Sequence, residues 1–139
     1  MPARDIYHDT VIHALEADGW QITHDPLTLS YGGRELYVDL GAQRTTIAAE
    51  KMGQKIAVEI KSFLGLSPVQ ELEQAIGQYQ VYHSVLRETE SDRKLYLAVP
   101  QRIKEGLLAE RFGQLILNSL QLQVLVFDEQ QERIVSWIP

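Results

Sequence analysis

Apolar residues recur along this chain at two spacings, and the changes between them mark out its elements. From residue 4 to 18, in "RDIYHDTVIHALEADG", Ile6, Val11, Ala14 and Leu15 fall near one face of a helix that Gly19 would close. Trp20 to Thr23 reads as a short strand ended by the turn-like "HDP". "RELYVDLGA" and "TTIAAEKMGQKIAVEIKSF" supply three strand-like runs, the last two joined at Met52-Gly53. The helical spacing returns at Ser67, a plausible N-cap followed by Pro68 and by Gln70 of an S-x-x-Q capping box. That helix should run to Arg87, burying Val69, Leu72, Ile76, Tyr79 and Leu86. "KLYLAVP", ended by Pro100, has the unbroken apolar character of a strand covered on both faces. A helix from Ile103 to Ser119, interrupted near Gly113, then precedes a strand pair, "LQVLVFD" and "RIVSWIP", around "EQQE". The order is α-β-β-β-α-β-α-β-β, a mixed α/β class. No repeat or linker divides it, so residues 1–139 read as a single domain.

Composition narrows the setting. A chain of 139 residues with 45% hydrophobic content can bury roughly 68–70% of its unfolded surface without staples. It has no cysteine, which removes disulfides, thiolate zinc sites and cysteine nucleophiles together and fits a reducing cytoplasm. No apolar run approaches membrane-spanning length, and "MPARDIYHDT" has no signal-peptide core, so the expected location is cytoplasmic, with no membrane partner. The net charge of −6 argues against coating nucleic acid by bulk electrostatics. Any contact with DNA must be local, drawing on Arg34, Arg44, Lys51, Lys55 and Lys61 in the first half of the chain.

The chemistry centres on "KIAVEIKSF". Ile56, Val58 and Ile60 share one strand face, which leaves Lys55, Ala57, Glu59 and Lys61 on the other. A wet face or an edge strand accounts for a Glu/Lys pair without any chemistry. Three observations favour a site. Asp39, beside Tyr37 in "ELYVDLGA", is a residue type depleted in strands, although nearby Gly41 leaves a strand-end explanation open. The helix that follows should pack on one face of these strands and leave the other for a cleft. Gln78 follows Gly77 on that helix, where the glycine permits close approach. Brought within about 4 Å, Asp39 and Glu59 would repel by on the order of 4 kcal/mol at a surface-like dielectric. Lys61 offsets part of that, and a hard divalent cation such as Mg²⁺ takes such a carboxylate pair as ligands. With a cation there, Lys61 would hold or deprotonate an attacking water, the chemistry of phosphodiester hydrolysis.

At Asp39, Glu59-Ile60-Lys61 and Gln78 the sequence resembles the PD-(D/E)xK, or restriction-endonuclease-like, nuclease superfamily. The resemblance implies a mixed sheet flanked by helices, Mg²⁺ or Mn²⁺ on Asp39 and Glu59, and catalysis by Asp39, Glu59, Lys61 and Gln78, often within a homodimer. Two features depart from the pattern: Val38 rather than proline precedes the acid, and 19 residues separate Asp39 from Glu59. Glu50, in "AAEK", is a rival first ligand. Across nearly the whole chain the runs "DIYHDTV", "DGWQITHDPLTL", "VDLGA", "AAEK", "KIAVEIKSFLG", "GQYQVY", "DRKLYLAVP" and "SWIP" resemble the XisH family of excision controlling factors. That resemblance implies a part in excising a DNA element, or in controlling the excision, in company with a recombinase and a small partner, XisI.

Other candidates are weaker. His8, His13, His24 and His83 are scattered and lack cysteine partners for a zinc site. "YGGRE" has no phosphate-loop context and reads as a hairpin turn, and no serine sits in a nucleophile elbow. Tyr79 and Tyr82 could stack on bases, but their spacing fits core packing better.

Overall fold

The computed structural model describes residues 5–44 and 53–139. The expected strand around Thr45 to Glu50, with Lys51, Met52 and the rival ligand Glu50, lies outside the described residues. Helix α1 spans His8–Ala17, and its Val11, Ala14 and Leu15 are buried. Gly19, at φ +89°, follows it in the left-handed region that glycine adopts without cost. Ile6 is not part of the buried stripe: it precedes the helix and is 71% exposed.

Strand β1 (Gln21–His24) is followed by a segment the sequence pattern hid, β2 (Leu27–Tyr31), which pairs antiparallel with β3 (Arg34–Val38). Gly32 and Gly33, at φ +59° and +80°, make the two-residue turn expected of "YGGRE". "RELYVDLGA" is therefore two strands: β3 belongs to this hairpin, and β4 (Leu40–Arg44) to the main sheet, with Asp39 at the break. Next come β5 (Gln54–Ile60), α2 (Pro68–Thr89) and β6 (Arg93–Pro100). The expected helix 103–119 is instead α3 (Gln101–Glu105), a 3₁₀ turn (Leu107–Ala109) and α4 (Arg111–Leu120). Strands β7 (Val124–Asp128) and β8 (Arg133–Ile138) complete the described chain.

The main sheet has the order β1-β4-β5-β6-β7-β8; β5-β6 and β6-β7 are parallel and the outer pairs antiparallel. It is a mixed α/β structure, a six-stranded mixed sheet flanked by helices. One face buries Ile56, Val58, Ile60, Ala98 and Phe127 with Val11, Leu15 and Trp20. The other buries Ala57, Leu95, Leu97 and Val126 with Leu72, Ala75, Tyr79, Tyr82 and Leu86 of α2. Ser67 caps α2 as its sequence requires, its hydroxyl accepting from the Gln70 N–H at 3.3 Å. Val69, expected in the α2 stripe, is 41% exposed, and Tyr82 is buried in that packing. Among the described residues no helix is long and apolar enough to cross a membrane.

Candidate functional site

Strand β5 alternates as its sequence dictates, so Glu59 projects from the same face as Ala57, the face that α2 covers. This corrects the expectation that the helix would take one face and leave the other for a cleft. The cleft, of about 370 Å³, opens on the α2 side, beyond the reach of the apolar packing. Asp39, Glu59, Lys61 and Gln78 all line it, together with Asp5, Glu35, Tyr37 and Tyr82. Gly77 does not serve the close approach expected of it, since a Cβ there would meet nothing within 4 Å among the described residues.

Asp39 reaches the cleft because the chain leaves the ladder at that residue. Leu40 pairs with Val58, and one step further Asp39 turns its backbone N–H to Glu59 Oε1 at 3.2 Å. Its carboxylate Oδ2 accepts from the Ile60 N–H at 2.8 Å. The two acids are thus interlocked, each tied to the other's backbone segment. Lys61 Nζ stands 3.9 Å from Glu59 Oε2. The Lys61 N–H donates to the Ala98 carbonyl at 3.0 Å, so its backbone continues the pairing with β6.

Burial dominates the electrostatics. Glu59 is only 6% exposed, and desolvation, with the Asp39 charge second, pushes its carboxyl up to about 8 against the opposing pull of Lys61. Asp39 is also raised, first by burial, while the Ile60 N–H and the charges of His8 and Lys61 draw it back. Tyr82 is pushed up to about 12 by burial and then by the two acids. One ammonium therefore faces two carboxyls that resist sharing a charged state. That donor set fits a hard cation, which needs only one or two carboxylates and retains several waters. Among the described residues no three His, Cys, Asp or Glu side chains gather as a metal cluster.

A second layer escaped the sequence reading. Asp5 accepts from the Ser62 N–H at 3.1 Å and from the Tyr7 N–H at 2.8 Å, tying the start of α1 to the residue after Lys61. Arg102 donates to the Phe63 carbonyl at 3.0 Å and also to that of Ser62. His8, 4% exposed, lies 2.7 Å through Nε2 from Asp25 Oδ1. An acid ahead of a helix was the only signal for any of these, since Arg102 and Asp25 look like surface residues in the sequence. The other histidines are dispersed: His13 pairs with Glu132, His24 contacts Thr23, and His83 stacks on Tyr79. A larger cavity, about 840 Å³ between α2 and α4, is lined mainly by amides and apolar groups and includes neither acid in its lining.

Comparison with known proteins is decisive on kinship. The family model described as XisH protein matches residues 1–135. The chain belongs to the XisH family. It is similar in structure to an XisH family protein of Nostoc punctiforme PCC 73102, at 41% identity and a TM-score of 0.88, covering 97% of this chain and 100% of that one. It is also similar to an fdxN element excision controlling factor protein of Anabaena variabilis, at 44% identity and a TM-score of 0.86, covering 98% and 100%. No curated protein matches the chain. As an XisH protein it shares its fold with both structures over nearly its whole length.

Proposed function

We propose that this XisH chain is a DNA-excision controlling factor that hydrolyses phosphodiester bonds of DNA at a PD-(D/E)xK-like site. One observation carries the reading: two carboxyls from separate segments, the half-buried Asp39 and the buried Glu59, interlock in a cleft that Lys61 enters to within 3.9 Å of Glu59. The similarity to a protein named as an excision controlling factor supplies the biological setting. Asp39 and Glu59 would hold Mg²⁺ or Mn²⁺, which when bound would supply positive charge toward a phosphoryl oxygen and make a neighbouring water more acidic. The Lys61 ammonium orients the attacking water and offsets negative charge that develops on the phosphoryl oxygens, the water's proton passing to solvent. Gln78, on the cleft wall formed by α2, orients the phosphodiester or the water through its side-chain amide. A recombinase, an XisI-like partner and pairing with a second copy belong to the same reading.

A second reading has its own support. Asp5 and Glu35 add two more acids to the cleft lining, and the chain carries a net charge of −6, an unfavourable mouth for a phosphate unless a cation is bound. A non-catalytic adaptor that acts through a protein partner would tolerate that charge. The test is incubation of purified protein with supercoiled plasmid and branched DNA, with and without Mn²⁺ or Mg²⁺. Cation-dependent nicking by the wild type, lost in Lys61→Ala at unchanged melting temperature, is expected. Cutting retained by Lys61→Ala removes the assigned mechanism, and a wild type that neither cuts DNA nor binds millimolar Mn²⁺ in calorimetry favours the adaptor.

A further inference from the structure

We infer that His8 and Asp25 form a positioning pair for Asp39, pinning the corner at which two paired segments leave the main sheet and so holding the Asp39 carboxyl against Ile60 and Glu59. The inference deepens the cation site proposed above and rests on that reading for its purpose, though not for its geometry.

The corner is defined by register. On the main sheet Ile22 pairs with Ala42 and His24 with Gly41, with a register shift between the two pairs. The next pairing of the same two segments, Leu27 with Val38, already belongs to the hairpin β2-β3. Asp25-Pro26 and Asp39 therefore lie side by side where both segments cross from one sheet to the other, and the backbone pairing there is interrupted. A side chain must secure what the ladder does not. His8 does so from the first turn of α1, reaching Asp25 at 2.7 Å from a position with 4% exposure. The first turn is itself fixed by Asp5, whose carboxylate accepts from Tyr7 and Ser62.

A histidine that served only to dock α1 would be expected to satisfy both ring nitrogens or be replaced by an apolar group. Here Nδ1 is buried without a hydrogen-bond partner among the described residues. Such a group costs about 1–3 kcal/mol, a penalty that the Asp25 contact must offset and that packing alone gives no reason to retain.

The amides of Asp39 and Ile60 report directly on the interlock, because one donates to Glu59 and the other to Asp39. Amide hydrogen exchange should be followed by NMR in the wild type, His8→Ala, Asp25→Ala and His8→Gln, all without metal. In both alanine variants exchange at Asp39 and Ile60 is expected to accelerate by about tenfold or more relative to the β4-β5 ladder. His8→Gln, whose terminal amide can still reach Asp25, should restore most of the protection. Unchanged exchange at those two amides, or equal acceleration along the whole ladder, overturns the inference. Asp25 is on the more open side of the pair, with 32% of its side chain exposed, so Asp25→Ala decides the matter if His8→Ala does not fold. Calorimetry with Mn²⁺ runs in parallel, with roughly tenfold weaker binding expected in the alanine variants. A wild type that binds no Mn²⁺ ends the cation reading, while the exchange result still decides the pin.

Discussion

The backbone N–H of Asp39 and the carboxyl of Glu59 meet at 3.2 Å across a point where the β4-β5 ladder has just ended. The contact places a buried acid, Glu59, and a half-buried one, Asp39, where the β4-β5 pairing stops. A carboxylate that accepts from a backbone N–H is stabilised as an anion, yet here burial outweighs the bond for both acids. The pair is therefore costly to the free protein in its ionised form. Sites with that property are ones that a cation can stabilise selectively.

The cost should be visible as a pH dependence of stability. Below about pH 4.5 Glu59 is protonated in both states and contributes no slope. From there to about 8 the unfolded chain has released the proton while the folded chain retains it, so stability falls as pH rises. Taken from 4.5 to about 8, the change is worth at most about 5 kcal/mol, part of which belongs to Asp39. Urea denaturation at pH 5 and pH 8 without divalent metal should show the decline in wild type and a flatter profile in Glu59→Gln. Equal slopes in the two proteins would count against a proton held at Glu59.

Mn²⁺ should reverse the trend. Binding to the ionised pair stabilises the folded state by about 2.7 kcal/mol at a hundredfold excess over the dissociation constant. Because a proton must leave as the cation enters, the effect should be larger at pH 8 than at pH 6. Thermal melts across a Mn²⁺ series are expected to show this for wild type and to lose it in Asp39→Asn. A variant that is stabilised as strongly as wild type would place the ion elsewhere.

How much of this was legible in the sequence depends on which force set each feature. The strand alternation of β5, the Ser67 cap and the Gly32-Gly33 turn are local, and local pattern carried them. Asp39 could be noticed because aspartate is unfavourable in a strand, but its place at a break between two sheets depends on pairing with segments far along the chain. Strand β2 was missed since "PLTLSY" follows a turn and has only two buried residues, Leu27 and Leu29. Arg102 and Asp25 look like surface charges, and only tertiary packing brings them behind the site.

Gly113 was expected to interrupt a helix, and it instead sits in the first turn of α4, pressed on the preceding 3₁₀ turn. A Cβ there would lie 2.2 Å from the Leu107 carbonyl oxygen and 2.6 Å from Leu108 Cα. Both are backbone atoms and cannot rotate away. Gly113→Ala should cost at least about 2 kcal/mol, read as a lowered urea midpoint, or prevent folding. A midpoint within error of wild type would show that α4 shifts freely and that its packing does not fix the end of the core.

Arg102 bears more closely on the chemistry. Immediately after Lys61 the chain bends at Phe63, which is buried and holds φ +55°, a conformation that costs a non-glycine residue on the order of 1 kcal/mol. The Arg102 guanidinium covers the carbonyls of Ser62 and Phe63 there, and Asp5 takes the Ser62 N–H from the other side. Arg102→Ala should lower stability by about 1–3 kcal/mol. If the bend sets the direction of Lys61, DNA cleavage per folded molecule should fall as well, with kcat reduced more than KM rises. Arg102→Lys should recover only part of both losses, because an ammonium lacks the planar fork that spans two carbonyls. Glu129→Ala, which removes an ion pair of 3.9 Å with a partly exposed partner, should change stability by less than about 1 kcal/mol. Steady-state cleavage assays beside urea titrations separate the outcomes: a stability loss with unchanged kcat would make Arg102 a fold residue only.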